Sequence, residues 1–210
     1  MSLESDNRRR EILEAAGNEF VEKGFAAATT AAIAARARAS KRDIYRLFGS
    51  KEGILEALIS TRTEPMAVFR PLSPNADLVE FLDALADFGR RFLPDYLEGP
   101  KTALYRSAIA EAPRSTRLSE AVMAKGAAPV QAAFIAFMMD AVRAGIVPAD
   151  DAELVAHSFI DVLIGGWQLR LLLGTHPPPD AAAVEVQVSR AIEVVRRLIA
   201  AAPRDPGVRG

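Results

Sequence analysis

The stretch from Gly24 to Glu56, GFAAATTAAIAARARASKRDIYRLFGSKEGILE, constrains the fold more than any other part of the chain. Thr29 is an N-cap residue for a helix whose inward face is Ile33 and Ala37, at i, i+4 spacing. Arg38 and Ala39 interrupt that helix. Ser40 starts a second short helix, and Asp43 completes a capping-box-like pair, with Asp in place of the usual Glu. Ile44, Leu47 and Phe48 then face inward, which leaves Lys41, Arg42, Tyr45 and Arg46 outward. Two short helices, a tight turn and a basic outward face predict a helix-turn-helix that lays its second helix in the major groove of double-stranded DNA.

Charge is distributed to match. Residues 1–51 hold ten Lys/Arg against seven Asp/Glu, while residues 52–210 hold sixteen against twenty. A basic N-terminal module on an acidic body suits a polyanion partner at one end only. The absence of cysteine excludes disulfides, thiol sensing and zinc–cysteine sites. The N-terminal MSLESDNRRRE has no apolar run behind its charges and is not a signal peptide. No apolar run approaches the roughly 20 residues that a membrane-spanning helix needs. A soluble, cytoplasmic protein without membrane partners is therefore expected.

Periodicity along the chain predicts an all-α protein with no strands. Asp6 or Ser5 caps a first helix that runs to about Lys23, with Ile12, Ala16 and Phe20 inward and Gly24 ending it. Ser50 caps a fourth helix carrying Ile54, Leu55, Leu58 and Ile59, and Pro65 with the Arg70–Asn75 loop ends it. Further helices are expected over 78–97, with Pro94 kinking or ending it, and over 101–112. A long helix over 116–144 is interrupted by Gly126 and Pro129, and two more follow over 152–173 and 181–201. The expected organisation is a helix-turn-helix DNA-binding domain over 1–51, a helical ligand-binding and dimerisation domain over 52–202, and a disordered tail over 203–210.

The N-terminal pattern resembles the tetracycline-repressor (TetR) family of bacterial transcriptional regulators. The residues that carry the likeness are Ile12-Leu13, Ala15-Ala16, Phe20, Gly24-Phe25, Thr29-Thr30, Ile33-Ala34, Ser40, Ile44-Tyr45, Phe48 and Ser50-Lys51-Glu52. A weaker likeness lies around Ile109-Ala110-Glu111-Ala112. The resemblance implies an all-helical homodimer that releases operator DNA when a small-molecule inducer binds, and that dimerises through its last two long helices. Two positions depart from the family pattern. Arg38 stands where Gly is frequent in the turn, and a non-Gly residue at positive φ costs roughly 1–2 kcal/mol. Arg42 also stands where Gly is frequent, so the DNA contacts are expected to differ from the family average.

Expected DNA contacts are Thr29, Thr30, Ser40, Lys41, Arg42, Tyr45, Arg46 and Lys51. Thr29 and Thr30 are helix caps first, with phosphate binding as a second role. Arg42 is read equally as a phosphate contact or as a bidentate guanine contact. Asp43 is read as a cap, because phosphates would repel it, with a contact to a cytosine amino group as the minor alternative. Lys51 follows the cap Ser50, where a cation opposes the helix dipole; a DNA phosphate there resolves the conflict, and a solvated surface lysine is the alternative. A ligand pocket lined by Tyr105, Phe134, Met138 and Trp167 is expected, with Phe88, Phe92, Phe137 and Met139 read mainly as core. Gly165-Gly166 inside an apolar helix suggests close approach of another helix, with a ligand against the backbone as the alternative. The dimer interface is accordingly assigned to Phe159, Gly165, Gly166, Val188 and Ile192. Glu153, His157 and Asp161 share one helix face, but nothing completes a ligand set, so neither metal nor cofactor is expected. An enzyme is set aside: there is no Cys, no glycine-rich phosphate loop and no Ser/His/acid spacing. The alternative function is a helical dimeric small-molecule-binding module with weak or lost DNA binding, which a turn distorted by Arg38 would produce.

Overall fold

The computed structural model describes residues 3–63, 68–113 and 116–201, and the expected tail over 203–210 lies outside them. Among the described residues every regular element is a helix. The head contains α1 (Leu3–Ala27), α2 (Thr30–Arg36), α3 (Lys41–Phe48) and α4 (Lys51–Thr63). The body contains α5 (Leu78–Tyr96), α6 (Gly99–Glu111), α7 (Arg117–Val122), α8 (Ala128–Arg143), α9 (Ala152–Ile164), α10 (Trp167–Leu172) and α11 (Ala181–Ala201).

Local chemistry explains most boundaries. Helix α1 begins at Leu3, ahead of both Ser5 and Asp6, so neither is its N-cap. Gly24 leaves helical geometry at φ 75°, which ends the regular part of α1 where a C-terminal glycine should. Asp77 caps α5 by accepting from the Glu80 amide at 2.9 Å. Pro94 falls in the last turn of α5, where it leaves the Arg90 carbonyl without its i+4 donor, and the helix ends soon after, at Tyr96.

Two hydrophobic cores divide the chain. Ile12, Ala16 and Phe20 of α1, Ile33 of α2, Ile44 of α3 and Ile54, Leu55, Leu58 and Ile59 of α4 are buried together. Ala108 of α6 and Leu118 and Val122 of α7 complete that core, so the body closes the head from below. Helix α4 thus packs with α1–α3 and also against α7, which ties the head to the body. The second core joins α5, α8, α9 and α11 through Phe81, Phe88, Phe134, Phe137, Phe159, Leu163, Val188 and Val195. Phe69 lies across it, with ring centroids 4.1 Å from Phe88 and 4.7 Å from Phe137. Arg90 of α5 grips Glu185 of α11 through two hydrogen bonds of 2.9 and 3.0 Å.

Helices α7 and α8 join through a π-helical segment, Met123–Ala127, which makes Arg117–Arg143 one rod of 27 residues. Pro129 lacks the N–H that the Lys125 carbonyl would accept in an α-helix, and its ring crowds that carbonyl, so the backbone widens there. By length and composition alone this rod is apolar enough to cross a membrane, which corrects the expectation that no run approaches that length. Here its Leu118, Val122, Phe134, Phe137 and Met138 are buried within the protein.

The expected helix over 152–173 is two helices. Gly165 at φ 50° and Gly166 at φ 79° are left-handed, ending α9 and starting α10. A Cβ on Gly165 would collide with the Gln187 amide of α11 and lie 2.9 Å from the Val162 carbonyl oxygen. Gln187 itself is buried and donates to that carbonyl. The glycine pair therefore admits α11 of the same chain, which is a close approach of a different kind from the one expected.

Candidate DNA interface and ligand cavity

The recognition element is built by its caps. Thr29 Oγ1 accepts from the Ala32 amide at 3.1 Å and starts α2. The Ser40 hydroxyl accepts from the Asp43 amide at 3.0 Å, and the Ser40 amide donates to the Asp43 carboxylate at 3.2 Å, which completes the capping box. The Ser40 hydroxyl and backbone N–H on Asp43 hold its carboxyl below the usual range, so Asp43 stays ionised as a cap. Between the helices, the Ala39 amide donates to Ala34 O at 2.9 Å and the Arg38 amide to Ala35 O at 3.3 Å. These two bonds form a Schellman closure with Arg38 at its left-handed position, φ 50°. The turn expected to need glycine forms with arginine.

Helix α3 is braced from behind. The Arg9 guanidinium of α1 sits 4.8 Å from the Phe48 ring centroid and donates to Leu47 O at 3.4 Å. Arg36 of α2 binds Glu22 of α1 through bonds of 2.7 and 2.6 Å. With Ile44 fully buried, Lys41, Arg42, Tyr45 and Arg46 point outward, and Tyr45 is 55% exposed. Arg46 pairs with Asp43 at 2.9 Å. Among the described residues, Lys41 and Arg42 have no partner. Thr29 is exposed beside them and Thr30 is half-buried.

Lys51 has a different employment from the one expected. Its ammonium donates to the carbonyls of Phe25 at 2.8 Å, Ala28 at 3.0 Å and Ala26 at 3.3 Å. It also lies 4.4 Å from the Phe25 ring centroid. All three donors of the ammonium are thus engaged. Carbonyl oxygens from the end of α1 and the loop after it hold the cation at the start of α4 within the fold.

The body encloses a cavity of about 620 Å³. Tyr105, Phe134 and Met138 line it as expected, joined by Phe92, Tyr96, Leu104 and Ile160. Burial raises the pKa of both phenols, and the neighbouring Tyr105 raises that of Tyr96 further, so both stay neutral. Lys101 lines the same wall and pairs with Asp95 at 2.8 Å. Glu153, His157 and Asp161 edge the cavity from α9, and the outward positions of Ile135 and Met139 open it toward solvent between α8 and α9. Gly17 and Phe20 of α1 and Leu58 and Ile59 of α4 also line it. Sequence reasoning missed these four because their spacing marks them only as core of the head.

Trp167 does not line this cavity. It lies beside Gly165, Val186, Gln187 and Arg190, half-buried against the body core, because the glycine break redirects α10, which buries Leu171 and is held to α6 by Arg106 donating to Leu172 O at 2.9 Å. Its ring meets His176 edge-on at a centroid distance of 6.5 Å. Two of the residues assigned to a dimer interface are also displaced. Phe159 is 0% and Val188 1% exposed within the single chain, where they fill the core against Phe88 and Gly89, out of reach of a partner. Ile192 is half-buried against the same core, while Gly165 and Gly166 are exposed. The exposed apolar residues of α9–α11 are Leu154, Leu169, Leu173 and Val186.

A helix-turn-helix head closed by a helical body with an internal cavity is the architecture of a transcriptional regulator. Residues 12–58 match the family described as bacterial regulatory proteins, tetR family, and residues 83–201 match the AefR-like transcriptional repressor C-terminal domain. The chain belongs to the TetR family of transcriptional regulators. It is 35% identical to the HTH-type transcriptional repressor SCO4008 of Streptomyces coelicolor over 77 residues, 37% of this chain and 40% of that protein. The chain spans well under half the length of the curated relatives it matches. A TetR transcriptional regulator from Agrobacterium tumefaciens superposes with a TM-score of 0.71 at 26% identity, covering 92% of this chain and 95% of that one. The flavonoid-responsive regulator FrrA superposes with a TM-score of 0.70 at 26% identity, covering 95% of this chain and 100% of that one.

Proposed function

We propose that this protein is a cytoplasmic, homodimeric repressor that binds a palindromic operator through α3 and is released by a small apolar or amphipathic ligand. The observation that carries the reading is the cavity's wall. It is built partly from α1 and α4, the helices that hold the recognition helix in place. A ligand there touches the frame of the DNA-binding head directly. It acts only if it prefers the DNA-incompetent arrangement; moving a 1:99 equilibrium to 99:1 takes about 10⁴-fold preference.

In this reading Lys41, Arg42 and Tyr45 face DNA, with Arg46 on the same side and Thr29, Thr30 and Ser40 at the helix starts nearest the backbone. The closed turn around Arg38 favours an active head over a module that has lost DNA binding. Dimerisation uses the outer surface of α9 and α11, where Leu154 and Val186 are exposed. The test is a fluorescence-anisotropy titration of the full chain with the DNA upstream of its own gene, followed by a small-molecule screen. Saturable binding to a palindrome, reversed by a cavity-binding compound, is the expected result. Binding to that DNA no tighter than to random duplex would sink the proposal.

A further inference from the structure

We propose that the cavity takes an amphipathic cation: an apolar or aromatic body bearing an amine, guanidinium or quaternary ammonium group at the α9 edge. This rests on the ligand-cavity reading above and adds the sign of the ligand's charge.

The lining's charges decide it. Lys101 is the cation among the lining residues apart from His157, and its side chain is only 11% exposed with its ammonium 2.8 Å from Asp95. An anionic ligand would have to displace Asp95 or place a second negative charge beside it. At the α9 edge the balance reverses. Glu153 and Asp161 stand two turns apart on one helix face, with His157 between them at 3.9 Å from Glu153. No described side chain pairs with Asp161. The interior supports the same sign. Tyr96 and Tyr105 line the cavity, and a phenol oxygen can accept from an N–H donor. A volume of about 620 Å³ accommodates a drug-sized body of this kind.

The experiment titrates the protein by calorimetry with three probes sharing one tail: decyltrimethylammonium, decanol and decanoate. The cation is expected to bind tightest and decanoate weakest. The double variant Glu153→Gln/Asp161→Asn, at exposed positions, should weaken the cation by about five- to ten-fold and leave decanol unchanged. Ala156→Leu, with Ala127→Leu as a second filling variant, should weaken all three probes. If decanoate binds tightest, or the double variant leaves cation affinity intact while the filling variants abolish it, the charge assignment is overturned and the cavity reading stands. If none of the probes binds, or neither filling variant changes anything, the cavity reading fails and the charge assignment with it.

Discussion

An ammonium in the first turn of a helix is ordinarily a mild liability, and at Lys51 three carbonyl oxygens from the end of α1 and the loop after it answer it. Lys51→Met should therefore lower stability by about 1.5–3 kcal/mol, read by thermal melting, because it removes hydrogen bonds to a charged group. DNA affinity measured well below the melting temperature should hold. An unchanged Tm with a salt slope flattened by about one unit would instead restore the phosphate contact. Arg42→Ala is the complementary variant: it has no partner in the fold, so the melt should not move, while operator affinity drops by about 1–3 kcal/mol if it reads guanine. At Arg38 the left-handed backbone is borne by a residue with a Cβ. Arg38→Gly should add about 0.5–1 kcal/mol of stability, the relief of that strain less the extra freedom glycine has when unfolded. A lower Tm would mean that Arg38 contributes more through its side chain than its backbone costs.

Elements set by neighbours in sequence were legible, and those set by distant neighbours were not. The Ser40–Asp43 capping box, the Thr29 cap and the outward face of α3 follow from contacts within four residues, and the chain alone carries that information. Gly165-Gly166 was read as a packing notch inside one helix because a glycine pair in an apolar run looks the same whether the helix continues or stops. What stops it is Gln187, on another helix. The same break carries Trp167 out of the cavity lining. Apolar positions such as Val188 and Phe159 were assigned outward because periodicity counts apolar faces without saying which face meets its own chain. Two variants separate the faces. Val188→Asp should unfold the body, whereas Val186→Asp should leave a folded monomer by sedimentation velocity. A dimer that persists in Val186→Asp would move the interface elsewhere. Gly165→Ala should destabilise by roughly 1–2 kcal/mol from the left-handed backbone alone, and more from the clash with Gln187.

At the scale of the whole molecule, the head and body cores meet along α6 and α7, and the cavity lies at that junction. A ligand at 100 times its dissociation constant should stabilise the protein by about 2.7 kcal/mol. Because α1 and α4 form part of the wall, hydrogen exchange in both helices should slow along with that of the body; protection confined to α8 and α9 would place the ligand outside the junction. The position of Trp167 has a consequence for following these events with light. It is the chain's single tryptophan, half-buried beside Arg190 and Val186 and outside the lining of the cavity. Its emission is a native optical label for that region. On dilution its colour should report subunits parting, while an inducer entering the body leaves it dark to the event.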